Sequence, residues 1–149
     1  RPQQDQTADL VLTKNVKTCR LNHVFYPEVH MTTTLLIDID GTLVEHITSL
    51  PERVQKKLPT PKVLPGVIDK LTEWGKAGHK IILTTARKEC WRALTERELE
   101  EAGIWYDQLV MDLGCGPRFL INDLKPGRED MPMATAINLP RNQGIGEVK

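Results

Sequence analysis

Two aspartates one residue apart, Asp38 and Asp40, are the residues of this chain whose types and spacing most directly suggest chemistry. They follow the apolar run Leu35-Leu36-Ile37 and lead into Gly41, Thr42 and Leu43. A short apolar run ended by a turn signal reads as a buried strand. Alternate side chains of a strand face the same way, so both carboxylates begin on one side, and the Gly41 turn swings Asp40 over the strand end. Two carboxylates that close repel unless a cation lies between them, and a hard, oxygen-seeking ion such as Mg2+ fits that role. An Asp-Gly turn beside a surface carboxylate is the plainer alternative, but it leaves the rest of the string unexplained.

The elements that must position this pair follow from periodicity. Residues 32–44 give the first strand and its loop. Glu45 to Lys62 is polar, holds Pro51, Pro59 and Pro61, and has room for one short helix. Lys56 and Lys57 belong to its solvated face or meet an anionic substrate. Pro65-Gly66 opens the next helix, where Val67, Ile68, Leu71, Trp74 and Gly75 recur at helical spacing and Gly78 caps the end. Trp74 is therefore a core residue. Lys80 to Arg87 is a second buried strand ending in the hydroxyls of Thr84 and Thr85. Strand, helix, strand implies a parallel crossover, and ligands of such sheets bind beyond the carboxyl ends of the strands. Thr85 thus shares an edge with Asp38 and Asp40, and Arg87 either reaches the substrate or anchors the following helix.

Trp91, Leu94, Thr95, Glu98, Leu99 and Ala102 form the apolar-leaning stripe of another helix, with Cys90 at its start as a structural thiol and Gly103 at its end. Gln108 to Leu113 reads as a further strand. Gly114 to Pro117 turns the chain into Arg118-Phe119-Leu120-Ile121-Asn122-Asp123, an apolar strand ending in a carboxylate. Pro126 to Met133 reads as a loop, Ala134 to Leu139 as a last strand, and Pro140 to Gly144 as a turn whose Arg141 could face the site. Gly146 to Lys149 reads as a frayed end.

Asp38-Ile39-Asp40-Gly41-Thr42 resembles the first motif, Asp-x-Asp-x-Thr, of the haloacid dehalogenase-like (HAD) superfamily. The resemblance implies that Asp38 is the nucleophile, forming an aspartyl-phosphate, and that Asp40 is the general acid/base whose backbone carbonyl also binds Mg2+. Thr84-Thr85-Ala86-Arg87 resembles the second motif of small, cap-poor HAD phosphatases and selects Thr85 to hold the transferring phosphoryl group. Asn122-Asp123 resembles the fourth motif, which implies Asp123 as a metal ligand beside Asp38 and Asp40, with Asn122 bonding nearby or substituting. The third motif, a lysine, has no clear match. Four extended residues span roughly 13 Å, which sets Arg118 far from Asp123, so Lys125 is the choice, with Lys88 the other option. Gly103 to Asp107 resembles capsule- and sugar-phosphate-associated members.

The bulk numbers bound the partners. At 149 residues the chain is one domain's worth. Lys plus Arg and Asp plus Glu both number 20, so charge gives no argument for nucleic acid or membrane as a partner. The three cysteines, Cys19, Cys90 and Cys115, are scattered, and a reducing cytoplasm is the simplest setting. Residues 1–30 read as an N-terminal extension of unclear role, with short strands at Leu10-Val11-Leu12 and Val24-Phe25-Tyr26 and two loop histidines, His23 and His30. Residues 31–149 read as a HAD-like hydrolase domain.

The expected fold is α/β, a three-layer Rossmann-like core with a mostly parallel central sheet and a minimal cap. The expected function is Mg2+-dependent hydrolysis of a phosphomonoester, a small sugar or nucleotide-sugar precursor phosphate, through Asp38, Asp40, Thr85 and Lys125. With about twenty residues where a cap would insert, the active site is open or covered by a neighbouring subunit of a homo-oligomer. A catalytically weak Mg2+- or phosphate-binding accessory domain and a polynucleotide phosphatase are the alternatives; dehalogenase or phosphonatase chemistry is disfavoured by Asp40 and the absent cap.

Overall fold

The computed structural model describes residues 18–21, 24–27, 32–127 and 129–148, and divides the chain into two units, Arg1–Met31 and Thr32–Lys149. In the first, strands β1 (Thr18–Leu21) and β2 (Val24–Pro27) pair antiparallel, with Cys19 opposite Tyr26. The strand expected at Leu10-Val11-Leu12 and the histidines His23 and His30 lie outside the described residues.

The second unit is a small α/β structure. Its elements run β3 (Thr34–Asp38), α1 (Leu50–Gln55), α2 (Val67–Lys76), β4 (Lys80–Thr84), a 3-10 turn at Glu89–Trp91, α3 (Arg92–Glu101) and β5 (Gln108–Val110). The sheet order is β3-β4-β5, parallel throughout, with Leu36 opposite Ile82 and Asp38 opposite Thr84. Two successive right-handed crossovers in one direction put their helices on the same face. There Ile37, Ile81 and Leu83 of the strands pack with Val67 and Leu71 of α2 and Leu99 of α3. The opposite face carries Leu36, Ile82 and Val110, of which Leu36 and Val110 are exposed. No helix among the described residues is long and apolar enough to cross a membrane.

Both crossover helices stop by the same device. At the end of α3, Gly103 donates to Glu100 O (3.0 Å) and Ile104 to Leu99 O (2.9 Å); at the end of α2, Gly78 and His79 bond Gly75 O and Trp74 O in the same way. This is the Schellman pattern, which needs a left-handed residue after the cap, and Gly103 supplies it at φ 70°. The pattern also turns Ile104 back beside Leu99, feeding the chain into β5.

Several expectations are corrected here. Residues 118–123 and 134–139 form no strand, and the described sheet ends with β5. β5 itself stops at Val110 rather than Leu113, because Asp112 takes φ 59° and its N–H turns back to Arg87 O. Pro65 lies outside α2, whose N-cap is Gly66 at φ 73°. Residues 146–148 are not frayed. Ile145 is 2 % exposed within the core, Val148 packs against that core, and Gly146 lies on Gly66.

That last contact is tight enough to test. A Cβ on Gly66 would sit 2.6 Å from the Gly146 Cα, against backbone that cannot swing aside, while at Gly103 a Cβ meets nothing within 4 Å. Both residues are left-handed, so alanine costs about 1 kcal/mol of strain at each. Gly66→Ala is expected to lose a further 1–3 kcal/mol or so from the forced shift. Urea unfolding of the two variants side by side measures the difference, and equal losses would remove the packing argument.

Candidate functional site

Ile39 separates the two aspartates and is fully buried. Its carbonyl receives the N–H groups of Leu43 (2.9 Å), Val44 (3.2 Å) and Thr42 (3.3 Å), while Gly41 donates to Val44 O at 2.7 Å. Pinning Ile39 inward forces Asp38 and Asp40 out on either side of it, at the carboxyl end of β3. Their side chains are 40 % and 28 % exposed.

The two carboxylates meet different surroundings. Asp40 is gripped by Arg87, whose Nη2 donates to Oδ1 at 2.7 Å and Nε to Oδ2 at 2.9 Å. The same guanidinium donates through Nη1 to Glu98 Oε2 (3.1 Å) and Thr95 Oγ1 (3.3 Å), and Glu98 in turn accepts from Arg53 of α1. Burial works against the Arg87 charge, but Asp40 and Glu98 outweigh it and hold the guanidinium above its ordinary pKa. Asp38 has the weaker partner, Arg118 Nη2 at 3.3 Å. Burial pushes the Asp38 carboxyl above the usual range. Arg118 opposes that shift, the Asp40 charge adds to it, and the Ile39 backbone and Arg141 pull the other way without cancelling it.

The remaining expected residues are placed as follows. Thr85 is buried just past β4, and its Oγ1 accepts the Arg87 N–H at 3.1 Å. Thr84, across from Asp38, donates to Ile37 O at 3.3 Å. Asp123 pairs with Lys125 at 2.7 and 2.9 Å, and Asn122 donates to Met133 O at 3.4 Å. Lys88 pairs with Asp112 at 2.6 Å. Arg118, set far from Asp123 when residues 118–123 were read as a strand, reaches Asp38. Arg141 and Asn142 also arrive: Asn142 N donates to Gly41 O at 2.8 Å, and its Oδ1 accepts the His46 N–H at 2.7 Å. Arg87 anchors α3, the second of the two roles open to it, and in addition clamps Asp40.

Three contributors escaped sequence reasoning. Asn142 and Arg53 carry no spacing signal. Glu98 does, because a carboxylate inside a helix's buried stripe demands a cationic partner. An open groove elsewhere on the unit, lined by Glu96, Glu100, Trp105 and Tyr106, contains neither aspartate.

The fit to a divalent cation is partial. Mg2+ is commonly held by one or two carboxylates, with water and substrate phosphate completing its shell. Asp38 and Asp40, both partly exposed at the carboxyl end of β3, supply those two carboxylates. Asp123 does not join them: among the described residues no group of three or more His, Cys, Asp or Glu side chains is arranged to hold a metal.

No protein-family model matches this sequence, and no curated protein matches it. Two solved structures are similar. One is a structural-genomics target from Vibrio cholerae, at 20 % identity and TM-score 0.42, over 62 % of this chain and 80 % of that one. The other is a Pnkp1/Rnl/Hen1 complex, at 22 % identity and TM-score 0.45, over 72 % of this chain and 42 % of that one. Both TM-scores are too low to carry a functional argument.

Two outcomes follow from the electrostatics. Removing the shared carboxylate by Glu98→Gln leaves the buried Arg53 guanidinium without its carboxylate and Arg87 with Asp40 alone, and the expected loss is about 3 kcal/mol in urea unfolding. A raised Asp38 pKa means the folded protein binds more protons there than the unfolded chain, so this group's contribution falls as pH rises through its folded pKa. Asp38→Asn is therefore expected to be more stable than wild type at neutral pH. The gap should close as pH drops below 3.8, the ordinary value. A variant less stable at neutral pH would contradict the burial of this charge.

Proposed function

We propose that the unit Thr32–Lys149 is a HAD-like phosphomonoester hydrolase with a Rossmann-like, three-layer core, working through an aspartyl-phosphate on Asp38. One observation carries the reading. A carboxylate and its neighbour two residues on stand together at the carboxyl end of a parallel strand, one clamped by Arg87 and the other more exposed and in longer contact with Arg118.

Asp38 attacks phosphorus in line with the departing alcohol. Asp40 gives that alcohol its proton and then takes one from the water that cleaves the acyl phosphate. Arg87 positions Asp40 with one hydrogen bond to each oxygen, which leaves each oxygen a lone pair for the proton. Arg118 and Arg141 offer positive charge to the phosphoryl oxygens, a task the sequence assigned to Lys125. Held by Asp38 and Asp40, Mg2+ would neutralise charge that builds up on those oxygens. Thr85 has its oxygen engaged by the Arg87 N–H and keeps its O–H as a donor.

A small sugar phosphate or nucleotide-sugar precursor is the proposed substrate, supported by the resemblance around residues 103–107; a zero net charge adds no argument for a polynucleotide. One observation favours a non-catalytic, phosphate-binding reading: Asp123 stands away from the pair while Arg118 occupies Asp38.

Hydrolysis of an aryl phosphate, with and without Mg2+, separates the two. Mg2+-dependent turnover that falls on the order of a thousandfold or more in Asp38→Asn is expected. Turnover surviving that change, or a wild type inert towards aryl, sugar and nucleotide phosphates alike, would sink the hydrolase reading.

A further inference from the structure

We infer that the open groove between the end of α3 and the loop 103–107 is a docking site for an arginine side chain presented by a partner protein. The inference does not depend on the hydrolase reading. The groove lies at the amino ends of β4 and β5, whereas the two aspartates stand at the carboxyl end of β3.

Two elements build the groove. Glu96 and Glu100 are four residues apart on α3, so their carboxylates share one face of the helix. Trp105 and Tyr106 form the other wall. Their loop is fastened at both ends. Ile104 donates to Leu99 O at 2.9 Å, and Asp107 donates to Ile81 O at 2.8 Å. The Asp107 carboxylate in turn accepts from the Ile81 N–H (2.8 Å) and from Lys80 Nζ (2.9 Å). The Trp105 ring also lies on Gly75 of α2, where a Cβ would come within 2.4 Å of Cζ2. Even so, Trp105 keeps 40 % of its surface in solvent. The aromatic wall is therefore set before a ligand arrives, which lowers the ordering cost of binding.

The lining selects the occupant. Glu96, Glu100, Gly103, Ile104, Trp105 and Tyr106 bring two carboxylates, two aromatic rings and no cation. Glu96 receives one bond from Arg92 at 3.2 Å, an arginine held chiefly by Glu89, and Glu100 pairs with no cation among the described residues. Both charges reach the Tyr106 hydroxyl. Burial raises its pKa first, Glu96 and Glu100 add to the rise, and Arg92 opposes it. A groove that is both negative and aromatic attracts a cation through its charges and through its ring faces. A guanidinium uses both at once, because it stacks flat on a ring and still pairs with a carboxylate through its edge, which an ammonium cannot do.

The cation arrives on a protein rather than as a free small molecule. The groove measures about 420 Å3, but it is open to solvent, and small ligands bury roughly 70–90 % of their surface in their sites. A side chain whose own backbone rests on the rim needs no such enclosure. Arginine against tryptophan and tyrosine is also the combination that carries most energy at protein interfaces.

The probe is a dye-labelled Gly-Arg-Gly-Arg-Gly peptide, followed by fluorescence anisotropy at physiological ionic strength, where charges more than about 8 Å apart are largely screened. Saturable binding is expected, about fivefold weaker in Glu100→Gln. Glu101→Gln removes the same charge from the next residue, outside the groove, and should change the affinity less than about twofold. In a spectrum of the indole N–H groups, the Trp105 signal, assigned by its loss in Trp105→Phe, should move most as the peptide is added. Absent binding, equal weakening by Glu100→Gln and Glu101→Gln, or a shift confined to Trp74 and Trp91 would overturn the inference. A Gly-Lys-Gly-Lys-Gly peptide that bound as tightly would overturn the choice of a guanidinium. Methylguanidinium alone binding as tightly as the peptide would overturn the protein partner.

Discussion

The Arg87 guanidinium is the interaction on which the rest of this unit depends. It joins the Asp40 turn, the end of β4 and helix α3, and through Glu98 it reaches Arg53 of α1. The chain Asp40–Arg87–Glu98–Arg53 holds two positive and two negative charges, almost out of water. Breaking one partner of such a set leaves a charge that the interior cannot solvate. Site geometry and fold stability are therefore one problem here. Arginine suits the position because its planar fork grips the Asp40 carboxylate with two parallel bonds and still has Nη1 for Glu98, which a lysine ammonium could not do.

Against that rigid anchor, Asp38 stands out as the residue the fold does not favour. Two chemically identical side chains flank the same buried isoleucine, yet one is neutralised by a bidentate partner while the other has a longer contact to an arginine from a distant loop. Burial raises the Asp38 carboxyl in spite of Arg118, and carboxyls shifted in this way concentrate where a group must act. The turn around Asn142 strengthens this arrangement by fastening the Gly41 loop from behind.

The parallel strand-helix-strand order was legible because period-two and period-3.6 patterns are local, and so were the helix ends at Gly78 and Gly103. Asp38 and Asp40 were legible because a buried strand passing into paired carboxylates is itself a local signal. Pairings between remote segments were not. Residues 118–123 were misread as a strand because an apolar hexad looks like one whether or not an edge is within reach. Gly146 to Lys149 was read as fraying because so short a segment carries no period, although Gly146 is what lets the backbone approach Gly66. Glu98 lay in plain view within the helix stripe, but its partner on α1 could not be read from spacing.

The contact between Gly66 and the Ile145-Gly146 segment, with the bond from Asn142 to Gly41, has a consequence for how the chain acquires its structure. Helices α2 and α3 and the β3-β4 pair can form as soon as their own residues are available, since each closes over a short stretch. The core beneath the aspartates closes only when residues about a hundred positions downstream dock. Loops of that length close slowly and late. On the ribosome, the site loop would wait until nearly all of this unit had left the exit tunnel. Until then Leu64 and Val67 lack the cover of Ile145, and the nascent unit is open to unwanted association through this side of its core.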